Sequence, residues 1–228
     1  MILGLIGFIG AGKGAIADIL VKRHGFLKES FANSVKDACS AIFGWNRALL
    51  EGDTPESRAW REQSDPWWSE KLNREFSPRL ALQLLGTEAG RNVFHLDLWV
   101  HTVMRRCEQA PDNHYVITDV RFPNEIHAIQ NSGGKIVRVR RGPNPEWYET
   151  ALMENTTHED KLWILHDAEK LMKQKYSHVH SSEWAWIGTD YDFLIDNNCD
   201  LKELTIRIDN MMRCIYNNDV ETIEDTVQ

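Results

Sequence analysis

No apolar run in this chain approaches the roughly 18 residues that a membrane-crossing helix needs, so no membrane partner is expected. Cysteine is scarce: Cys39, Cys107, Cys199 and Cys214 stand far apart and form no CxxC pair, which argues against a zinc site or a disulfide framework and for a reducing cytoplasm. Positive charge is short as well. Lys and Arg number 26 against 34 Asp and Glu, and the resulting net charge of -8 repels polymeric nucleic acid. The apolar start has no basic leader and is broken by Gly4, Gly7, Gly10 and Gly12, so it reads as a strand and turn of the mature protein rather than as a secretion signal. Internal repeats and low-complexity tracts are missing too.

What is present describes a globular α/β protein. Hydrophobic residues make up 42% and charged residues 26% of 228 positions, enough to bury a sizeable core. Residues Ile2 to Ile6 form a short, nearly all-apolar run, as a strand covered on both faces requires. A helix is expected from about Lys13 to His24, with Ile16, Ile19 and Leu20 as its stripe. "FLKESFA" reads as a weaker strand, and "SVKDACSAIFGW" as a helix opened by Asn33 or Ser34 and closed by Gly44. Residues 46–76, rich in Arg, Trp and Glu, have no clean period and read as a mobile insertion. "SPRLALQLLGTEAGRNVF" and "LDLWVHTVMRRCEQ" read as helices. "HYVITDV", "KIVRVRR" and "YDFLIDN" read as strands, with a helix over "NEIHAIQNSGG", helical character across 144–175 and a last helix at "LKELTIRIDNMMRCIY". Strands alternating with helices predict a doubly wound parallel sheet flanked by helices, as one domain over 1–216, with a helical insertion at 143–179 and an acidic, loose tail at 217–228.

"GFIGAGKG" after the first strand fits G-x-x-x-x-G-K, with Gly7, Gly12 and Lys13 in the required strand–loop–helix setting. In such a loop, backbone N–H groups of Gly10, Ala11, Gly12, Lys13 and Gly14 wrap a polyphosphate, the helix N-terminus adds positive charge, and the lysine reaches the outer phosphates. The other reading is a glycine-rich turn that merely joins strand to helix. Gly14 stands where such loops carry a hydroxyl that binds Mg²⁺. Its absence removes one ligand but not the cradle, because Mg²⁺ keeps several waters and needs only one or two protein carboxylates. Asp119 is the candidate for the remaining, mostly water-mediated contact.

Phosphoryl transfer also needs cations and a carboxylate on the acceptor side. "YVITDVRFPNE" supplies Asp119, Arg121 and Glu125 after one strand, at the end where α/β sheets place ligands. A surface salt bridge between Arg121 and Glu125 would explain the same residues without function.

The ordered set "GFIGAGKG", "SPRLALQLLGTEAGR", "LDLWV", "VITDVRFPNE", "HSSE" and "YDFLIDNNCDLKEL" resembles the bacteriophage-type deoxynucleoside monophosphate kinases, from Ile2 to about Ile215. The resemblance implies a P-loop NTPase, nucleoside monophosphate kinase-like fold with helical insertions. It further implies transfer of the γ-phosphate of ATP, with Mg²⁺, to a deoxynucleoside monophosphate, a homodimer, and residence in a host cytoplasm. By resemblance, Lys13 and the loop glycines hold the donor, and Asp119 and Arg121 lie at the acceptor phosphate and base or metal. Glu125 lies beside the acceptor sugar, Arg79, Gln83, Arg91 and Trp99 line the monophosphate pocket, Arg140 is a lid arginine, and His180 and Glu183 form the H-x-S-E element. Each has a plainer alternative: Trp99 shares helical spacing with Leu96 and Val103 and suits a core, while His180, Arg79 and Arg91 suit solvated surfaces. An arginine between Arg58 and Trp68 is a further phosphate ligand that the motifs do not single out. Two rival functions share the loop: a kinase of another small acceptor such as dephospho-coenzyme A, and a non-catalytic nucleotide-binding switch, against which the missing N-K-x-D sequence speaks.

Overall fold

The computed structural model describes residues 1–156 and 162–217, with side chains described for all of these except 162–166. The greater part of the expected acidic tail, and 157–161 of the expected 143–179 insertion, lie outside the described residues. The chain divides into two compact units, one of Met1–Glu29 with the chain from Ala110 onward, the other Ser30–Gln109.

The first unit is built on a parallel five-stranded sheet. Its strands are β1 (Ile2–Ile6), β2 (Leu27–Glu29), β3 (Tyr115–Ile117), β4 (Lys135–Arg140) and β5 (Phe193–Asp196), in the order β2-β3-β1-β4-β5. Ile2 stands opposite Tyr115 on one side of β1, and Leu3 opposite Lys135 on the other. The all-apolar composition of β1 follows from this central place. Leu3 and Leu5 pack with α1 (Lys13–His24) and α10 (Leu201–Asn217), through Ile16, Leu20, Leu204 and Ile208. Alternation turns Gly4 to the opposite face, where a Cβ would stand 2.7 Å from Ile129 of α7 (Pro123–Asn131). The helices α8 (Tyr148–Thr156) and α9 (Leu162–Gln174) complete the unit. Because all five strands run the same way, the loops after β1, β3, β4 and β5 leave the same edge of the sheet.

The second unit is helical. α2 (Asn33–Phe43) ends at Gly44 in the left-handed conformation expected of it. The stretch 46–76, which shows no period, contains a 3-10 turn (Leu49–Glu51) and two helices, α3 (Pro55–Glu62) and α4 (Pro66–Leu72). Local capping explains them: Thr54 and Asp65 accept the N–H groups of Ser57 and Trp68, and Pro55 and Pro66 occupy the first helical positions. Their tryptophans serve a core. Trp60 and Trp68 pack around Val35, Cys39, Trp45, Leu50 and Phe76, and Trp45 donates its indole N–H to Asp65 at 2.8 Å.

One helix expected over 78–94 is two. α5 (Pro78–Gln83) passes into a π-helix (Leu84–Phe94) before α6 (Leu98–Gln109). The wider coil accommodates Trp99, whose indole donates to Gly86 O at 2.7 Å and lies so close to Gly90 that a Cβ there would stand 2.4 Å from the ring.

Candidate active site

β1 ends where Gly7 takes φ 141 and passes beneath β4, and a Cβ on Gly7 would stand 2.4 Å from Val139 O. Gly10 and Gly12 follow with φ 81 and 96, backbone conformations that residues with a side chain rarely adopt. Asn197, directly after β5, donates Nδ2 to Ala11 O at 2.8 Å, while its own N–H reaches Arg140 O at 2.7 Å. A Cβ on Gly12 would lie 2.1 Å from that Nδ2. The loop is therefore clamped from beneath by the end of β5. Gly14 sits in the first turn of α1 with open space around it.

Lys13 folds back along the loop, donating Nζ to Gly7 O at 2.6 Å and Phe8 O at 2.9 Å. Burial, and then the neighbouring Arg121, pull its pKa down to about 8, against the opposing pull of Glu183 and Asp119. Lys13, Asp119, Arg121 and Glu183, singled out from three separate motifs, thus share one electrostatic neighbourhood.

Arg121 follows β3. Its Nη1 donates to Glu183 Oε1 at 2.7 Å and to Ser182 Oγ at 3.3 Å. Glu125 is not its side-chain partner, as the salt-bridge alternative would have it. That carboxylate, 2% exposed, accepts the backbone N–H groups of Arg121 at 2.7 Å and Phe122 at 3.1 Å, which fixes the loop that carries the guanidinium. His180 caps the short turn Ser181–Glu183, with Nδ1 accepting from Ser182 N at 3.2 Å. The same turn reaches the glycine loop through Trp186, which donates its indole N–H to Glu183 O and packs 5.1 Å from Phe8. Trp147 meets Phe8 from another side at 5.4 Å.

Arg140, at the end of β4, forks onto Asp196 Oδ2 at 3.1 and 2.8 Å, so it lies along the sheet edge. Against burial, which pushes it up, the backbone N–H of Asn198 and then that guanidinium keep the Asp196 carboxyl below its ordinary pKa. Motif reading missed Asn197, Ser182, Phe8 and Trp186, and the one signal available for Asn197 was a polar "DNN" run directly behind an apolar strand.

The second unit holds the remaining candidates on consecutive helices: exposed Arg79 and Gln83 on α5, half-buried Arg91 on the π-helix, and Trp99 on α6. Trp99 is packed against this unit's core. His95, Asp97 and His101 bring ligand-type atoms within 4.8 Å of one another, although His95 Nδ1 already accepts the Asp97 N–H at 3.0 Å.

No model of a known protein family matches the chain. A protein of Acanthamoeba polyphaga mimivirus, named a deoxynucleotide monophosphate kinase, is 30% identical to it over 155 residues, which cover 62% of this chain and 74% of that relative. The chain belongs to the deoxynucleotide monophosphate kinase family. A deoxynucleoside-5′-monophosphate kinase of Escherichia phage T5 is 47% identical over 56 residues, 25% of this chain and 22% of the phage protein. Among solved structures, shikimate kinase from Aquifex aeolicus is similar at 10% identity and a TM-score of 0.41, covering 96% of this chain and 99% of that one, too distantly to bear on the reaction. The kinase is a phosphotransferase, and its described residues include no helix long and apolar enough to cross a membrane.

Proposed function

We propose that this kinase transfers the γ-phosphate of ATP to a deoxynucleoside 5′-monophosphate, releasing ADP and the deoxynucleoside diphosphate. The observation that carries the reading is that Lys13 feels the charges of Arg121 and Asp119 at the carboxyl ends of β1 and β3, in a loop whose glycines take positive φ, and such a loop suits a bound polyphosphate. The loop amides and Lys13 hold the donor's phosphates; on donor binding, Nζ exchanges the Gly7 and Phe8 carbonyls for phosphate oxygens. An oxygen of the acceptor's phosphate attacks the γ-phosphorus, and the bond to the β-bridging oxygen breaks as ADP leaves. Lys13 and Arg121 neutralise the charge spread over the migrating group, so the barrier falls by positioning and electrostatics without a covalent intermediate.

The donor set suits Mg²⁺ entering with ATP. Asp119 is the carboxylate that would hold it, directly or through water, and the open space at Gly14 leaves room for a water in place of a hydroxyl. Bound there, Mg²⁺ would supply charge neutralisation on the phosphates. Glu183 holds Arg121 in the absence of acceptor, and Glu125 and His180 hold the two loops that present that pair. Arg79, Gln83, Arg91 and Trp99 are assigned to the acceptor in the second unit, and Arg140 to the charge of the transferring phosphate.

The test is product analysis with Mg-ATP and a panel of dTMP, dGMP, dCMP, dAMP, their ribo forms and dephospho-coenzyme A. Diphosphate formation from at least one deoxynucleotide is expected, with kcat lower by about 10² to 10³ in Lys13→Ala. Turnover of dephospho-coenzyme A alone, or equal activity in Lys13→Ala, would sink the assignment.

A further inference from the structure

β4 is an interior strand, and its Val137 and Val139 pack into the core beside α1 and α10. Alternation turns Arg138, between them, to the other face of the sheet, level with Ile6 of β1 and Leu194 of β5. A half-buried charge in the middle of a covered sheet calls for a partner. Among the described residues Arg138 forms no ion pair. Its guanidinium instead stands over three rings, with Cζ 5.5 Å from the centroid of Tyr148, 5.5 Å from that of Trp186 and 5.6 Å from that of Tyr191. Nη2 also donates to the Tyr148 hydroxyl at 3.0 Å. All three rings lie within the roughly 6 Å at which an aromatic face holds a cation.

Two of those rings lead to the reacting centre. Trp186 is buried; its ring packs 5.1 Å from Phe8, and its indole N–H donates to Glu183 O at 2.9 Å. Tyr148, also buried, meets Phe8 at 6.2 Å. On one branch Phe8 O holds Lys13 Nζ at 2.9 Å; on the other Glu183 Oε1 holds Arg121 Nη1 at 2.7 Å. Lys13 and Arg121 are thus each held by a residue that Trp186 touches. α8 adds to the brace, because Asn155 donates Nδ2 to Trp184 O at 2.9 Å and to Ile187 O at 2.8 Å, on either side of the indole. A methionine at position 138 would fill the space between the rings without desolvating a charge, but an apolar contact has no direction and lets a ring slide. A planar cation that rests on the rings and is hydrogen-bonded to one of them sets their orientation.

We propose that Arg138 is a positioning residue for phosphoryl transfer: its guanidinium fixes Trp186 and Tyr148, and through them the spacing between the glycine loop that carries Lys13 and the Ser181–Glu183 turn that anchors Arg121. This rests on the kinase reading above and adds to it a residue that acts only through others.

The test uses the full chain with two readouts, turnover and hydrogen exchange. Arg138→Met keeps much of the volume and removes the charge. Its melting temperature should stay close to that of wild type, since an apolar side chain replaces a charge that has no ion-pair partner. Its kcat should fall about tenfold to a hundredfold, as misplacement of the reacting groups requires, with the KM for ATP and for the deoxynucleoside monophosphate within about twofold. In the ligand-free protein the amides of Ala11, Trp184 and Ala185, which close the two turns held by the rings, should exchange severalfold faster, while those of β1 and α1 keep their wild-type rates. Arg138→Lys, which keeps the charge but not the plane, should recover part of kcat. Trp186→Phe keeps a ring on Phe8 but drops the bond to Glu183 O, so exchange should quicken at Trp184 and Ala185 and not at Ala11, with kcat again reduced. Unchanged kcat in Arg138→Met would overturn the proposal. So would a lower melting temperature with faster exchange throughout the sheet, which would reduce Arg138 to a support of the fold. Wild type that makes no diphosphate would sink the kinase reading instead, and the exchange pattern would still decide whether Arg138 holds the two segments.

Discussion

Lys13 carries opposite pH dependences for binding and for stability. Burial and Arg121 bring its pKa to about 8 in the ligand-free protein, whereas the unfolded chain keeps this lysine protonated up to its ordinary 10.5. Between those values the unfolded state binds more protons, so the contribution of Lys13 to stability increases as pH rises. ATP binding needs the ammonium form and should weaken over the same window, by up to about tenfold per pH unit above 8. Calorimetric ATP titrations between pH 7 and about pH 9.5 check this, and in Lys13→Arg, whose charge is fixed, the slope should vanish. A flat wild-type affinity would count against Lys13 as a donor ligand. Gly14, one residue on, invites the opposite manipulation. It lies in a helix, its φ is not positive, and nothing lies within 4 Å of a Cβ built there. Gly14→Ser should therefore fold normally, with a gain of a few tenths of a kcal/mol in helix propensity. With a hydroxyl added beside the donor's metal, half-saturation by Mg²⁺ should move to lower concentration while kcat stays within about threefold. A large loss of transfer in a well-folded Gly14→Ser protein would mean that the loop needs a bare Cα at that position.

Elements differ in how far their placement can be read from the sequence. β1, the glycine loop and α1 are legible because twenty contiguous residues contain the apolar strand, the left-handed glycines and the helical stripe. The pairing of Arg121 with Glu183 spans 62 residues, and no local period encodes it; only the resemblance put both on one list of candidates. The change from α to π at Leu84 escaped because it depends on an indole from the next helix seating against Gly90. Asn197 is the extreme case, 186 residues from the loop it supports. Its amide donates to Ala11 O from across the sheet edge, and both residues are buried. Asn197→Ala should leave that carbonyl without its partner, at a cost of about 1–3 kcal/mol. Part of this should surface as a higher KM for ATP, because the amides that grip phosphate are no longer held in place. Asn197→Asp should be worse, since a carboxylate would then face a carbonyl oxygen. Denaturant melts together with initial rates decide it, and unchanged stability and ATP KM in both variants would remove the clamp from the account.

At the scale of the whole molecule, each unit has its own apolar core. One is centred on Leu3, Val116, Val137 and Ile208, the other on Val35, Trp45, Leu50 and Phe76. The glycine loop, Lys13 and Arg121 belong to the first unit, and Arg79, Gln83, Arg91 and Trp99 to the second. If ATP and the monophosphate are held as argued, each ligand alone should leave a separate imprint on hydrogen exchange. Mg-ATP should slow exchange in the loop and α1 and in the backbone around Asn197. A deoxynucleoside monophosphate should slow it from α5 through the π-helix. At about 100 times its dissociation constant a ligand contributes about 2.7 kcal/mol, so amides that exchange only from ligand-free openings should slow by about a hundredfold. Exposed amides at the loop tip, near Ile9 and Gly10, should respond most to ATP, because they have least protection to begin with. Should the monophosphate protect only the first unit, Arg79, Gln83, Arg91 and Trp99 would lose their assigned ligand while the donor loop kept its own. Should ATP protect neither the loop nor the Asn197 segment, the donor site itself would have to be sought elsewhere.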